Sequence, residues 1–189
     1  MKETAKCKAM RAARGDFAKY LHGDGIDIGA GDDTLAVESG TVRGWDQKDG
    51  DAQVLAGVPT NAYDFVYSSH CLEHMRNVEE ALGNWTRVLK PKGYLYVVVP
   101  DYILYEKLTW PSLYNTDHKQ SFSFLVTRNM VKRSNHYHLE QDLFPLLQRL
   151  GYRILSAGIE DTNFNYNEGH ADQTLGSALA QLCIIAQKV

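Results

Sequence analysis

Short apolar runs recur along the chain, separated by polar or amphipathic stretches. Apolar residues at Ile26 and Ile28 predict a short strand, as do the runs Thr41–Trp45 and Tyr63–Tyr67. The run Tyr94–Val99 is continuously apolar, which is typical of a strand covered on both faces in a parallel sheet. These runs predict the strands of a buried and mainly parallel sheet.

Two stretches in the first half of the chain carry apolar residues at helical spacing. Thr4–Leu21 predicts an amphipathic helix within an N-terminal helical segment, residues 1–22. Further along, Asn77 resembles an N-cap and Glu80 its capping-box partner, followed by an apolar stripe. The pattern therefore predicts a second helix over residues 77–89.

The C-terminal part of the chain predicts one helix and two strands. Leu139–Leu150 has helical spacing, and Pro145 indicates that this helix starts late or is kinked. Tyr152–Ile159 and Ala180–Gln187 are strand-like and lack an obvious crossover helix, which favours an antiparallel pair. Together with the alternation upstream, this predicts an α/β fold: a Rossmann-like, doubly wound, mostly parallel sheet with an antiparallel C-terminal strand.

Composition limits the class of protein. The 189 residues are 44% hydrophobic and 23% charged, which fits a single domain, residues 1–189, with one sizeable core. A net charge of −3 disfavours duplex nucleic acid and anionic membrane as partners. The three cysteines are widely spaced and no long apolar segment is present, so we expect a soluble cytoplasmic protein.

A glycine-rich turn follows the first predicted strand. Gly29-Ala30-Gly31 would let the backbone approach a ligand closely, whereas Thr34 occupies the third glycine position of the dinucleotide fingerprint. Asp46 ends the second predicted strand, where a carboxylate can accept two hydrogen bonds from a ribose diol. A tight strand-to-helix turn and a solvated aspartate are the simpler alternatives.

Five stretches, in this order, resemble the class I S-adenosylmethionine-dependent methyltransferases, and the resemblance is strongest over residues 24–101. The stretches are GIDIGAGDD, GWD, GDA, YDFVYSSHCLEH and VLKPKGYLYVVVPD. The fourth stretch contains the Leu-Glu-His signature that one branch of this family carries after its fourth strand. The resemblance implies S-adenosylmethionine as cofactor and methyl transfer as the reaction.

The resemblance also assigns residues to parts of the cofactor. It places Asp27, Gly29, Ala30 and Gly31 at the methionine part, Asp46 with Gln47 at the ribose side, Asp51 and Ala52 at the adenine, and Ser68 and Ser69 below the methyl group. Only four residues separate Asp46 from Asp51, where the family has a helix and a strand. We therefore expect the third strand to be short or missing.

A His-x-x-Glu-His motif follows the third predicted strand. In inverzincin metalloproteases both histidines lie on one face of a long helix, but here His70 and His74 straddle a strand-to-helix bend. Some methyltransferases similar to this branch carry Glu-x-x-Glu-His and bind a magnesium-like ion. His70 puts a nitrogen where such a hard cation prefers oxygen. The preferred interpretation is no metal, with Glu73 and His74 as structural hydrogen-bonding groups; metal binding is the alternative.

Residues 102–138 form a long connection that contains seven aromatic residues and three histidines. Five basic residues against two acidic ones give it a local charge of +3. A connection of this length in a compact domain is usually functional. We expect a lid that supplies the pocket for a small acceptor, anionic and either phosphorylated or nucleotide-linked; a cap that completes the core is the alternative.

Methylation of a hydroxyl or ammonium group requires a base, and neutral histidine suits that role near neutral pH. We take His70 at the strand end as the first candidate and His118 in the connection as the second, with hydrogen bonding in the pocket as the simpler role for either. The preferred function is an S-adenosylmethionine-dependent methyltransferase. The alternatives are a non-catalytic accessory protein of the same fold that binds the cofactor, and a nicotinamide-dependent oxidoreductase.

Overall fold

The computed structural model describes residues 3–169 and 171–189, so residues 1 and 2 of the predicted N-terminal helical segment lie outside the described residues. Within these ranges the chain forms a six-stranded sheet and a separate two-stranded one. The strands are β1 (Gly25–Ile28), β2 (Val42–Trp45), β3 (Tyr63–Ser69), β4 (Leu89–Pro100), β5 (Ser121–Ser123), β6 (His136–His138), β7 (Tyr152–Glu160) and β8 (Gln181–Lys188).

The large sheet has the strand order β2-β1-β3-β4-β8-β7. Strands β1 to β4 pair in parallel, whereas β8 is antiparallel to both β4 and β7. The predicted fold class, with its antiparallel C-terminal strand, is confirmed. No strand lies between β2 and β3 among the described residues, which confirms that the expected third strand is missing.

The N-terminal segment was predicted as one helix over Thr4–Leu21, and this prediction is wrong. Gly15 has φ +73°, and its amide hydrogen-bonds to carbonyls of the preceding turn, which ends the second short helix. The chain then turns and starts a third helix instead of continuing. The α-helices in the described residues are α1 (Glu3–Lys6), α2 (Lys8–Arg14), α3 (Asp16–Lys19), α4 (Val78–Val88) and α5 (Phe144–Arg149).

Helix α4 begins as predicted, but its capping box includes a residue from another segment. The Asn77 side chain accepts a hydrogen bond from the Glu80 amide at 3.1 Å. The Glu80 carboxylate binds Gln53 Nε2 at 2.5 Å, and Gln53 Oε1 accepts from the Asn77 amide at 3.0 Å. Trp85 Nε1 also donates to the Ala52 carbonyl at 2.8 Å. The turns that replace the missing strand are therefore tied to α4.

The predicted helix over Leu139–Leu150 is present but irregular. Leu139–Leu143 forms a π-helical turn, and α-helical geometry begins only at Phe144. Pro145 lies in the first turn of α5, where a missing amide hydrogen costs nothing. The expected late start is confirmed.

Both faces of the large sheet are covered, because alternate residues of each strand point to opposite sides. On one face Val66 and Val97 pack in a cluster with Trp85 of α4 and with α5 residues. On the other face Phe65 and Tyr96 pack in a second cluster with residues of the N-terminal segment. None of the helices in the described part of the chain is long and apolar enough to span a bilayer.

The connection over residues 102–138, hereafter the insertion, packs against the turn that follows β3. Backbone amides of Lys119 and Gln120 both donate to the Glu73 carbonyl, at 2.8 and 2.9 Å. Gln120 Nε2 donates to the Met75 carbonyl at 2.9 Å. Phe122, in the parallel pair β5–β6, is fully buried in the core cluster. The insertion is thus held beside the carboxyl end of β3.

Candidate active site

A cleft of about 520 Å³ opens at the carboxyl ends of β1, β2 and β3. In open parallel sheets this edge is where ligands bind, since the loops diverge there. The lining residues come from the glycine turn, the loop after β2, the turn after β3 and the insertion: Gly29, Asp46, Gln47, Gly50, Asp51, Ala52, His70, Cys71, His74, Met75, Arg76, Asp117 and Lys119.

Gly29 lies where the glycine turn passes closest to the turn after β3. Its φ is +83°, and a Cβ added there would lie 2.5 Å from Cys71 Cβ. Its amide donates to the Trp45 carbonyl at 2.8 Å, which fixes the turn against the end of β2. Only glycine fits this position, and the backbone wall of the cleft depends on it.

Asp46 is oriented by backbone amides on both sides. Its Oδ2 accepts a hydrogen bond from the Gly31 amide at 2.5 Å, and its Oδ1 accepts from the Gln47 amide at 2.6 Å. Charge-assisted bonds of this kind fix a carboxylate strongly. Asp46 and Gln47 both line the cleft. The glycine turn and the end of β2 therefore form one hydrogen-bonded wall.

Asp51 and Ala52 also line the cleft, but Asp51 is already paired. Arg76 Nη2 donates to Asp51 Oδ2 at 2.6 Å, and the Gln53 amide donates to Asp51 Oδ1 at 2.8 Å. The hydrogen bond from Arg76 holds the pKa of the Asp51 carboxyl below its ordinary value. Arg76 was not identified from the sequence, where its only signal is a basic residue two positions after the Leu-Glu-His motif.

Five of the predicted cofactor-binding residues are not among those that line the cleft: Asp27, Ala30, Gly31, Ser68 and Ser69. Ser68 is buried, and its Oγ donates to the Ile28 carbonyl at 3.0 Å, which joins β3 to β1. Asp27 is buried below the glycine turn, and its Oδ2 accepts from the Leu35 amide at 2.7 Å. In this structure Ser68 and Asp27 support the wall of the cleft from behind.

The buried Asp27 carboxyl predicts a pH dependence of stability. Burial raises the pKa of Asp27 from its ordinary value of 3.8 to about 7. The folded state therefore binds more protons than the unfolded state between these two pH values, and the free energy of unfolding falls as pH rises through that interval. In the Asp27→Asn protein, the free energy of unfolding should fall less steeply with pH, by about 1.4 kcal/mol per pH unit. Urea unfolding at pH 5, 6 and 7 measures this slope.

Glu38 is exposed and provides the control for this measurement. Glu38→Gln removes one carboxylate from the surface and should leave the slope against pH unchanged. An Asp27→Asn protein with the slope of the unmodified chain would contradict the raised pKa.

The turn after β3 places the His-x-x-Glu-His motif at the inner end of the cleft. His70 has φ +55°, a left-handed conformation that is uncommon outside glycine and tends to occur at functional sites. Leu72–His74 forms a single 3₁₀ turn and not a long helix, so the motif does not have the geometry of an inverzincin.

Three histidines meet around Glu73, two from this turn and His118 from the insertion. Glu73 Oε1 lies 3.7 Å from His70 Nδ1, 3.8 Å from His74 Nε2 and 3.9 Å from His118 Nε2. Burial raises the pKa of Glu73 to about 8, and the Glu106 carboxylate adds to the rise. Neither Glu73 side-chain oxygen accepts a hydrogen bond from another described residue, so the structure gives no support to its predicted structural hydrogen bonding.

Each of the three histidines has its other ring nitrogen hydrogen-bonded to a side-chain oxygen. These partners were not identified from the sequence, because each lies at least 12 positions away along the chain. The bonds are His70 Nε2 with Gln181 Oε1 at 2.9 Å, His74 Nδ1 with Asp117 Oδ2 at 2.9 Å, and His118 Nδ1 with Glu106 Oε1 at 2.7 Å. Burial and the neighbouring His118 lower the pKa of His74, which favours its neutral form.

A second cavity, of about 210 Å³, adjoins the cleft. The two share His70 and His74, and the second is walled by the insertion. Its lining residues are His70, Glu73, His74, Tyr105, Asn115, His118 and Thr174. Both histidines predicted as bases, His70 and His118, therefore face the same cavity.

Known proteins similar to this chain share its fold. A family model described as a methyltransferase domain matches residues 8–157. A SAM-dependent methyltransferase from Thermotoga maritima is 17% identical with a TM-score of 0.59, covering 98% of this chain and 92% of that one. Another from Archaeoglobus fulgidus is 19% identical with a TM-score of 0.57, covering 98% and 95%. The cyclase SpnF is 17% identical with a TM-score of 0.55, covering 95% and 80%. No curated protein sequence matches this chain.

Proposed function

This chain belongs to the methyltransferase domain family, whose cofactor is S-adenosylmethionine, and from that premise we propose that it transfers a methyl group from this cofactor to a small acceptor. The observation that carries the proposal is the cleft at the carboxyl ends of β1 to β3. It combines a glycine turn that leaves the backbone open with a carboxylate fixed at the end of β2. These features fit the amino-acid part and the ribose of the cofactor, respectively.

The proposed cofactor contacts follow the walls of the cleft. The turn Gly29-Ala30-Gly31, of which Gly29 lines the cleft, would contact the methionine part of the cofactor. Asp46 with Gln47 would contact the ribose, and Asp51 with Ala52 the adenine. Asp51 holds Arg76 in this structure, so adenine binding there would rearrange or share that ion pair. When bound, the cofactor supplies a methyl group that is already activated by the sulfonium, so the protein mainly aligns the reactants and excludes water.

We propose that the acceptor lies in the second cavity, between the turn after β3 and the insertion. His70 stands between this cavity and the cleft, where it would take the proton of a hydroxyl or ammonium acceptor. His118 faces the same cavity with its Nδ1 hydrogen-bonded to Glu106. The basic surplus of the insertion favours an anionic acceptor, phosphorylated or nucleotide-linked. At the cleft, however, Lys119 is paired with Asp117, so matched phosphorylated and unphosphorylated acceptors should be compared.

Calorimetry tests the cofactor proposal directly. We expect S-adenosylmethionine and its demethylated product, S-adenosylhomocysteine, to bind with a stoichiometry near one, and NAD not to bind under the same conditions. Folded protein that binds neither sulfur nucleotide would contradict the proposal. Binding of NAD alone would favour the nicotinamide-dependent oxidoreductase.

A non-catalytic or differently reacting protein is the second candidate. The fold alone does not decide the reaction, because the similar structure SpnF is named as a cyclase. The short connection between β2 and β3 also leaves less protein around the cofactor than the resemblance implies. An assay for S-adenosylhomocysteine release across acceptor classes separates the candidates, since a binding-only protein would release none.

A further inference from the structure

Glu73, His74 and His118 each place one potential ligand atom in the same small region of the structure. These three atoms all lie within 4.8 Å of one another, although His118 is far from the other two in sequence. The insertion is anchored there by the backbone bonds to the Glu73 carbonyl. The juxtaposition therefore belongs to the packing of the insertion and does not depend on one flexible side chain.

The distances between these groups are wrong for hydrogen bonds and suitable for ligands of a shared ion. His74 Nε2 and His118 Nε2 lie 3.8 and 3.9 Å from Glu73 Oε1, whereas hydrogen bonds are about 2.7–3.2 Å long. Ligands that lie 2.0–2.1 Å from a tetrahedral metal are roughly 3.4 Å apart. A contraction of the site would thus bring the three groups to the spacing of ligands that share one ion.

The Glu73 carboxylate gives an independent indication of a bound cation, because it lacks a hydrogen-bonding partner among the described residues. Its side chain is 1% exposed, and neither oxygen accepts a hydrogen bond from another described residue. A buried carboxylate without such partners is unfavourable, and proteins normally satisfy buried charges by pairing or by coordinating a metal. A cation between Glu73 Oε1 and the two imidazoles would satisfy it.

The outer hydrogen bonds have the pattern found around metal-binding histidines. Asp117 and Glu106 accept from the Nδ1 atoms of His74 and His118, at 2.9 and 2.7 Å. Ligating histidines almost always donate their other ring nitrogen in this way, which fixes the tautomer and leaves Nε2 free to bind the ion. Both imidazoles are thus set with Nε2 towards Glu73.

We propose that Glu73, His74 and His118 bind one divalent transition-metal ion of the zinc class. Two imidazole nitrogens and one carboxylate suit zinc and its first-row neighbours, whereas magnesium and calcium prefer oxygen ligands. Three protein ligands leave a coordination position open, as in catalytic zinc sites. The three proposed ligands and His70 all line the second cavity. If the proposed function holds, an oxygen atom of an acceptor in this cavity would take the open position.

Metal binding can be measured without cofactor or acceptor, so its outcome is independent of the methyltransferase proposal. The chelator-treated full chain would be titrated with Co²⁺, which reports coordination by nitrogen and oxygen ligands through its visible absorption bands. We expect one Co²⁺ per chain, displaced by Zn²⁺ and not by Mg²⁺. A chain that binds no Co²⁺ stoichiometrically, or whose Co²⁺ is displaced equally well by Mg²⁺, would overturn the proposal.

Variants separate the proposed ligands from other histidines. We expect His74→Gln to weaken Co²⁺ binding by more than about 100-fold and Glu106→Gln, an outer partner, by roughly 10- to 100-fold. His22 is exposed and remote, so His22→Ala should leave binding unchanged. Circular dichroism establishes folding, and His74→Gln is preferred to changes at fully buried Glu73. Folded His74→Gln protein with unchanged Co²⁺ affinity would overturn the assignment.

Discussion

Gly29→Ala is expected to lower the free energy of unfolding by about 2–5 kcal/mol. A left-handed backbone costs a non-glycine residue about 1–2 kcal/mol, and overpacking adds typically 1–3 kcal/mol. Both costs apply, because Gly29 has φ +83° and the new Cβ would lie 2.5 Å from Cys71 Cβ. Urea unfolding followed by circular dichroism measures the loss. S-adenosylhomocysteine affinity should fall as well, since the turn forms a wall of the cleft.

Gly57 provides a matched control for the backbone cost. Its φ is +76°, and nothing lies within 4 Å of an added Cβ. Gly57→Ala should therefore lose only about 1–2 kcal/mol. If Gly29→Ala is no less stable than Gly57→Ala, the glycine turn relaxes away from Cys71 and the close approach is not essential.

A double-mutant cycle with Cys71 isolates the steric part. Cys71→Gly removes the Cβ that the Gly29→Ala methyl group would meet. We expect the two changes together to cost less than the sum of the single changes, by roughly 1–3 kcal/mol. Strict additivity would show that the cost at Gly29 is a backbone effect.

Asp46→Ala is expected to weaken S-adenosylhomocysteine binding by roughly 10- to 150-fold. The loss of a hydrogen bond to a charged group costs about 1.5–3 kcal/mol, which corresponds to this range of affinities. Asp46 lines the cleft, and its carboxylate is held by amides of Gly31 and Gln47. Calorimetry at constant salt measures the change.

Two further variants show whether the effect belongs to the carboxylate. Asp46→Asn keeps an oxygen for the Gly31 amide but lacks the charge, so its loss of affinity should be smaller than that of Asp46→Ala. Glu38→Ala removes an exposed carboxylate that does not line the cleft, and should leave affinity unchanged. Unchanged affinity in Asp46→Ala would make Asp46 a turn residue only.

Periodicity predicted most of the regular structure. The strands of the large sheet, the N-cap at Asn77 and the antiparallel C-terminal pair depend on local apolar patterns and short-range hydrogen bonds. The missing third strand was also predictable, because too few residues separate Asp46 from Asp51 to hold it. The break in the N-terminal helix was not predictable, since Gly15 adopts a left-handed conformation that the helical spacing does not reveal.

Local sequence patterns predict only part of the candidate site. The glycine turn and the aspartate after β2 are recognisable from the sequence, because their chemistry depends on a few adjacent residues. The pairing of Asp51 with Arg76 and the contact of Gln53 with the α4 cap depend on how the trimmed segment packs. Those contacts could not be read from spacing.

By itself the sequence determined the strand order along the chain, the glycine turn with its acidic neighbour, and hence the class of protein. Only the tertiary structure decided that His118 meets Glu73 and His74. The physical reason is the range of the interactions. Strands and caps are specified within a few residues, whereas the histidine cluster requires the insertion to fold back over the end of β3 and bury a carboxylate there.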